Sequence, residues 1–142
     1  MNTADRAELL FRGSCNCCQA VLASRAPEYG LDEETAIRLG TAFGGGMGRR
    51  GGVCGAVTGA FMLLGLKHGD PGGASEPKER VYGLVNAFVE EFSRLHGSIL
   101  CRELLGCEIG TPEGMAEAVD KGLFGTICVN FVRDAVDIAE KL

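Results

Sequence analysis

The sequence predicts an all-α fold, a compact bundle of about six or seven short helices around one buried central helix. Three observations support this prediction. Apolar residues recur at helical spacing along most of the chain, and no segment alternates between apolar and polar residues for long enough to form a half-buried strand. Aromatic residues make up only 6% of the chain and Trp is absent, so small aliphatic residues must fill the core between closely packed helices. The length of 142 residues suits a single cysteine-rich domain over residues 1–142.

The first three helices are predicted from their N-terminal caps. Thr3 is the expected cap of a short amphipathic helix that ends near Phe11. Asn16 precedes a second helix that runs from Cys17 to about residue 25, where a Pro and a Gly stop it. A third helix begins after Asp32, because that carboxylate and the acids behind it suit the positive end of a helix.

The stretch from residue 43 to residue 65 is the segment around which we expect the fold to be organised. Its first ten residues hold six glycines together with Arg49 and Arg50. This composition is typical of a loop whose backbone takes conformations closed to other residues. The remainder is almost wholly apolar and rich in small residues, which predicts a helix buried on all sides. Cys54 falls in the first turn of that helix.

Four further helices are predicted in the second half of the chain. Residues 67–77 form a polar connection with Gly and Pro, and the longest helix follows over residues 78–96. A short helix then carries Cys101. Thr111, followed directly by a Pro, caps the next helix, and Thr126 begins the last one.

Charge and hydropathy exclude two classes of partner. The net charge is −5 and no basic run is present, which argues against nucleic acid as the main partner. The N-terminus lacks the basic start and long apolar run of a signal peptide. The longest apolar stretch is too short to cross a bilayer. We therefore expect a cytoplasmic protein without membrane insertion.

Seven cysteines indicate redox or metal chemistry. In a reducing compartment, cysteines at this density are metal ligands or redox groups more often than structural disulfides. Any single one can equally be a small buried hydrophobic residue. Cys17, Cys54 and Cys128 fall in the first turns of predicted helices, and Cys101 lies in the short helix between polar turns. Because helix N-termini stabilise thiolates, we expect these four sulfurs to meet at one site.

The spacing of these cysteines leaves the chemistry open. Four convergent thiolates can hold a [2Fe–2S] cluster, a [4Fe–4S] cluster or a structural zinc, whereas adjacent pairs can form a dithiol relay. In the metal-free case Cys54 is the expected attacking thiol, with Cys17 or Cys128 as its partner. Cys54 should be the most acidic thiol, because it combines a helix N-terminus and the N–H groups of the glycine loop. Arg49 and Arg50 nearby would add positive charge.

Several motifs of this chain follow one another in a specific order. They are NCCQAVL at 16–22, FGGGMG at 43–48, CGAVTG at 54–59, CRELLG at 101–106 and the C-terminal Cys128. In this order and spacing they resemble the redox-active family named for its pattern C_GCAxxG_C_C. The resemblance implies a helical redox domain, similar to the helical domain of split-Soret cytochromes, which is thought to carry an iron–sulfur centre. It also implies a set of core cysteines, with three additions outside that set: the core is Cys17, Cys54, Cys101 and Cys128, and the additions are Cys15, Cys18 and Cys107.

The first hypothesis is therefore a small electron-transfer protein that binds an iron–sulfur cluster and serves an unidentified redox partner. The four core cysteines would be the ligands, and Arg49 and Arg50 would offset the negative charge of the cluster. The first alternative is a metal-free thiol–disulfide redox protein. The second is a zinc-stabilised interaction module that is not an enzyme.

Three weaker signals complete the sequence. Residues 46–51 satisfy the pattern GxGxxG, but a predicted helix precedes them where a dinucleotide site needs a strand. His68 and His96 are predicted to be surface histidines. Gly55 and Gly59 on the central helix, with the apolar Leu63 and Leu66, predict a homodimer.

Overall fold

The computed structural model describes residues 1–142 and confirms the all-α prediction. It contains eight α-helices, one at each of the eight segments predicted above although the overall expectation was about six or seven, and two short 3-10 helices at Ala26–Tyr29 and Thr41–Phe43. The helices are α1 (Thr3–Arg12), α2 (Cys17–Arg25), α3 (Glu33–Gly40), α4 (Gly55–His68), α5 (Ser75–His96), α6 (Cys101–Leu105), α7 (Pro112–Asp120) and α8 (Ile127–Lys141). No β-strand is present.

Four of the eight helices, α1, α2, α3 and α7, begin after a polar residue whose side chain accepts a hydrogen bond from a free N–H group of the first turn. Asn16 caps α2 with a reciprocal pair of bonds, in which its Oδ1 accepts from the Gln19 N–H at 2.8 Å and its own N–H donates to Gln19 Oε1 at 2.8 Å. Such a capping box satisfies two donors at once. Asp32 caps α3 and Thr111 caps α7, as predicted. The prediction for α1 was off by one residue, because Asn2 is the cap.

Helices α2 and α4 form the centre of the core. Seven of the nine residues of α2 are buried, and a Cβ placed on Gly59 of α4 would lie 3.0 Å from the Cys18 carbonyl oxygen and 3.1 Å from Val21 Cβ. The backbones of α2 and α4 are therefore in contact, and the absence of a side chain at Gly59 is what allows this packing within one molecule. The prediction that α4 is buried on all sides holds only for its first half, since Leu66 is exposed.

Helices α1, α5 and α8 cover this centre. Helix α1 packs along α8, and Arg133 of α8 bonds to Asp5 at 3.0 Å and Glu8 at 2.9 Å. Helix α5 attaches through the buried rings of Phe88 and Phe92. None of the eight helices combines the length and hydropathy needed to span a lipid bilayer.

The start of α4 differs from the prediction in a way that shapes the site. The helix begins at Gly55, not at residue 53, because the preceding residues are extended and pair with the residues before α6. The Cys54 N–H donates to the Ile99 carbonyl at 2.8 Å, and the Cys101 N–H donates to the Gly52 carbonyl at 2.7 Å. Cys54 is thus the N-cap of α4. This pairing ties the start of α4 to the start of α6.

Two other helices, α5 and α6, also begin at residues different from the predicted ones. Helix α5 begins at Ser75, three residues before the predicted start, because Pro77 is tolerated in a first turn where its missing N–H breaks no bond. The short helix α6 begins only at Cys101. The residues before it are held in the extended pairing described above.

Candidate functional site

A single large cavity opens beside the starts of α2, α4 and α6. Its volume is about 600 Å³. It is bounded by the glycine loop between α3 and α4 and by residues of α1, α6, α7 and α8. Cys17, Cys54, Cys101 and Cys128 all line it.

The four cysteines reach this cavity because each stands at or near the start of a helix. Cys17 is the first residue of α2, Cys54 caps α4, Cys101 is the first residue of α6 and Cys128 is the second residue of α8. The structure thus brings together the four residues that the sequence singled out. It leaves the other three outside: Cys15, Cys18 and Cys107 do not line the cavity.

The sulfur of Cys17 lies directly against the first residue of α4. A Cβ placed on Gly55 would be 2.6 Å from Cys17 Sγ and 3.0 Å from the Cys18 nitrogen. No real Cβ tolerates such a contact, so any side chain at position 55 must displace the sulfur. The absence of a side chain at Gly55 therefore lets the starts of α2 and α4 meet at Cys17.

Cys17 is the most acidic thiol of the site. A hydrogen bond from the Cys54 thiol lowers its pKa most, and burial opposes this effect. Backbone N–H groups of Gly45, Cys18 and Cys17 itself lower the pKa further, to about 7. These donors favour the thiolate because they bond to its charge. A large fraction of Cys17 is therefore ionised at neutral pH.

Cys54 behaves in the opposite way, and the prediction that it is the most acidic thiol was wrong. Its pKa lies well above the ordinary value, because its thiol donates to Cys17, because it is buried, and because the Cys17 charge repels a second charge. Only the Ala56 N–H favours its ionised form. Because Cys54 is the cap residue and not a first-turn residue, the free N–H groups of the helix N-terminus stabilise its thiolate less than the prediction assumed. The N–H group of the glycine loop points to Cys17.

The two remaining cavity cysteines are neutral at physiological pH. Burial raises the pKa of Cys101 to about 11 and that of Cys128 to about 12, and the nearby charge on Cys17 adds to both shifts. The site therefore combines one thiolate with three neutral thiols.

The glycine loop makes a left-handed turn beside these sulfurs. Five consecutive residues have positive φ, from Gly45 to Arg49, with values between 59° and 70°. For Met47 and Arg49 this conformation costs about 1–2 kcal/mol each. A Cβ on Gly46 would meet Cys101 Cβ at 2.8 Å. The loop is therefore shaped to bring its backbone against Cys17 and Cys101. A helix and a 3-10 turn precede the loop, where a dinucleotide-binding turn would need a β-strand.

The arginines of the loop do not share one role. Both side chains are exposed, but Arg49 lines the cavity and Arg50 lies outside it.

His96, predicted to be a surface residue, is instead half-buried between the rings of Phe92 and Phe131, and its Nε2 lies 2.8 Å from Asp134 Oδ2. It links α5 to α8 and does not line the cavity.

The apolar wall of the cavity was not predicted from the sequence. It includes Phe11, Leu104, Ile109, Met115, Phe124 and Phe131. The available signal was indirect: the short helices α6 and α7 carry apolar residues without a long helical face to bury them against. Asn16 was predicted only as a cap. It also lines the cavity, and its Nδ2 donates to the carbonyls of Gly40 and Thr41, both at 3.2 Å.

The four thiols match a metal or cluster site in chemistry. Zinc–sulfur bonds of about 2.3 Å require the sulfurs of a tetrahedral site to lie about 3.8 Å apart. No group of three His, Cys, Asp or Glu side chains is arranged to hold a metal ion. Within the site, Cys17 and Cys54 are the pair in which each residue is the largest influence on the pKa of the other.

Comparison with known proteins identifies the family. Residues 15–142 match the family described as C_GCAxxG_C_C, "Putative redox-active protein". No curated protein and no solved structure gives a significant match. Because the match covers nearly the whole chain, the protein belongs to this family.

Proposed function

We propose that this member of the C_GCAxxG_C_C family is a thiol redox protein in which Cys17 and Cys54 interconvert between a dithiol and a disulfide. One observation carries the proposal: Cys17 and Cys54 line the same cavity, and each is the largest influence on the pKa of the other. Two thiols that interact this closely can form a bond after a small movement. The redox character of the family supports the same conclusion.

The two cysteines have distinct roles in this proposal. Cys17 is the attacking group, since it is the thiolate of the pair and thiolates are the reactive form. It attacks one sulfur of a substrate disulfide, forms a mixed disulfide and releases the other substrate sulfur as a thiol. The sequence hypothesis assigned the attack to Cys54, so the structure supports a reversed order.

Cys54 then resolves the mixed disulfide. While Cys17 is a thiolate, its charge and its hydrogen bond raise the pKa of Cys54. Both effects disappear once Cys17 is bonded to the substrate, so Cys54 becomes easier to ionise at that moment. Its thiolate attacks Cys17 Sγ, which forms the Cys17–Cys54 disulfide and releases the reduced substrate as a second thiol. Two electrons pass from the pair to the substrate.

The test is a redox titration in glutathione buffers with single Cys→Ser variants. The wild type should show a two-electron transition, followed by counting free thiols after alkylation. Cys17→Ser and Cys54→Ser should each abolish that transition, and Cys15→Ser, outside the cavity, should leave it intact. A transition that survives loss of Cys17 or Cys54 would contradict the proposal.

A cytoplasmic setting fits this chemistry. All seven cysteines are free thiols in the structure, and reducing compartments keep cysteines in that form. A redox pair that cycles needs an electron donor, so the proposal includes a reducing partner in the same compartment.

A second candidate function is electron transfer through an iron–sulfur cluster, favoured by the observation that four cysteines line one cavity. Cys17, Cys54, Cys101 and Cys128 would be the ligands, and Arg49 would offset the negative charge. Anaerobic incubation with iron and sulfide, followed by visible absorbance and metal analysis, tests this candidate, and the same experiment with Zn²⁺ tests the zinc-stabilised alternative.

A further inference from the structure

The cavity is larger than the thiol pair alone requires. Its volume of about 600 Å³ falls within the range of about 300–1,000 Å³ that is typical of sites for small organic molecules. A disulfide exchanged with a protein surface would need only an accessible sulfur. The cavity therefore calls for an occupant that enters it.

The walls of the cavity define the polarity of that occupant. Phe11, Leu104, Ile109, Met115, Phe124 and Phe131 form a largely apolar surface, and no carboxylate lines the cavity. Arg49 is the one cationic residue in the lining, and it is exposed. Ligands with several charges would lose water without gaining partners there. The occupant is thus apolar and essentially uncharged.

The shape of the wall favours a ring. Phe11 and Phe124 are half-buried, so part of each ring faces open space. Phe131 lines the cavity from α8 and is held in place by His96, whose ring centroid lies 4.9 Å away. Aromatic rings stack favourably on one another, beyond the area that they bury. Three rings in one small cavity suit an aromatic ligand.

We propose that this cavity binds a small, uncharged aromatic electron acceptor of the quinone class beside the Cys17 sulfur. The inference rests on the proposed dithiol function and adds to its disulfide substrates a second class of oxidant. A quinone fits the apolar wall because it carries no charge before or after the reaction. Its electron-accepting ring would lie in the cavity that the reacting sulfur also lines.

The reaction balances between the pair and the quinone. The sulfurs of Cys17 and Cys54 give up two electrons and form one S–S bond. The quinone takes up those two electrons and two protons and leaves as the hydroquinone. In the fully protonated form of the pair both protons come from the two thiols; when Cys17 is already ionised, one of them comes from water.

The experiment uses the reduced, metal-free full-length chain under anaerobic conditions with two oxidants. The first is tetramethyl-1,4-benzoquinone, which has no free ring position and so forms no stable thioether by substitution. The second is diamide, a small polar thiol oxidant. Loss of quinone absorbance and mass-spectrometric detection of the Cys17–Cys54 disulfide are followed together. We expect the quinone rate to saturate with quinone concentration and the diamide rate to rise linearly.

Variants of helix α7 separate binding from thiol reactivity. Met115→Gln places an amide in the apolar wall at nearly constant size, and should lower the quinone rate at low concentration by about tenfold. The diamide rate of the same variant measures any change in thiol reactivity, and the quinone rate is expressed relative to it. Val119→Gln is the matched control, because Val119 lies on the same helix, is 60% exposed and does not line the cavity. Phe124→Leu keeps the wall apolar, and should lower the quinone rate by about threefold to tenfold through loss of ring stacking.

Each outcome decides the inference. If diamide forms the disulfide but the quinone rate stays linear and unchanged in Met115→Gln and Phe124→Leu, the inference is wrong and the dithiol function stands. If glutathione disulfide oxidises the pair with saturation and the variants do not affect that rate, the oxidant is a polar disulfide and the inference is again wrong. If neither diamide nor the quinone forms the Cys17–Cys54 disulfide, the dithiol function itself fails, and this inference fails with it.

Discussion

Gly55 controls the chemistry of Cys17 although it carries no side chain. In Gly55→Ala the new Cβ would lie 2.6 Å from Cys17 Sγ, where ordinary contacts begin at 3.4 Å. The sulfur must therefore move by roughly 0.8 Å, the difference between those two distances. That displacement disturbs the bonds from the Cys54 thiol and the Gly45 N–H, which lower the pKa of Cys17.

The size of the effect follows from those bonds. If the pKa of Cys17 returns from about 7 to its ordinary value of 9.0, the thiolate loses roughly 3 kcal/mol of stabilisation. At pH 7 its ionised fraction falls from about one half to about 1%, roughly 50-fold. A more basic thiolate is also a better nucleophile, by roughly eightfold when its pKa rises by two units. The net result is alkylation about sixfold slower at pH 7 and about sevenfold faster above pH 10.

The assay is the rate of iodoacetamide alkylation at Cys17 between pH 5 and pH 11, read by mass spectrometry. The matched control is Gly65→Ala on the same helix, where a Cβ would meet nothing within 4 Å. It should reproduce the wild-type profile. If the profiles of Gly55→Ala and wild type superimpose while both proteins remain helical, the contact with Gly55 does not set the acidity of Cys17.

Stability measurements give an independent check of the same contact. A thiol whose pKa is lowered on folding stabilises the native state fully above its unfolded pKa, and that contribution is lost as the pH falls through about 7. The deficit of Gly55→Ala in the free energy of unfolding should therefore grow by roughly 2 kcal/mol between pH 7 and pH 9. Steric damage alone would give a deficit independent of pH.

Three further predictions concern the residues around the site. Asn16→Ala removes the capping box of α2 and should lower the free energy of unfolding, measured in urea, by about 1–2 kcal/mol. Asn130→Ala, on the exposed surface of α8, should leave that free energy unchanged. Equal effects of the two substitutions would contradict the capping role of Asn16. Met47→Gly relieves one left-handed residue and should stabilise the protein by up to about 1 kcal/mol in the same assay, and a loss of stability would show that the Met47 side chain makes a needed contact. Cys54→Ala removes the first donor to Cys17 and should move the alkylation profile of Cys17 to higher pH, so an unmoved profile would contradict the hydrogen bond between the two thiols.

Local signals in the sequence were sufficient for most of the fold. Asn16, Asp32 and Thr111 were predicted as caps because capping depends on residues within one turn. The extended pairing of Cys54 with Ile99 was missed, since it joins segments that are distant along the chain. That pairing shifted the start of α4 and turned Cys54 from a first-turn residue into its cap.

The candidate site shows the same limit. The four core cysteines line one cavity because each stands near a helix start, which is a local property of the sequence. Which of them is acidic was predicted wrongly, because the answer depends on where the loop N–H groups point and on how closely Cys17 approaches Gly55. The fit between those two residues is a matter of packing between helices. Similarly, Gly59 was read as part of a dimer surface, but it packs against Val21 within the chain, and the oligomeric state stays a prediction.

Mapping the first disulfide that forms in the wild-type chain tests the central claim most directly. Protein prepared anaerobically and reduced is brought to the midpoint of the redox titration, quenched by alkylation and digested for peptide mass spectrometry. The account predicts one dominant linkage, Cys17 to Cys54, with Cys101 and Cys128 recovered as alkylated thiols. A dominant linkage between any other two cysteines, or joint protection of all four by bound iron and sulfide, would contradict it.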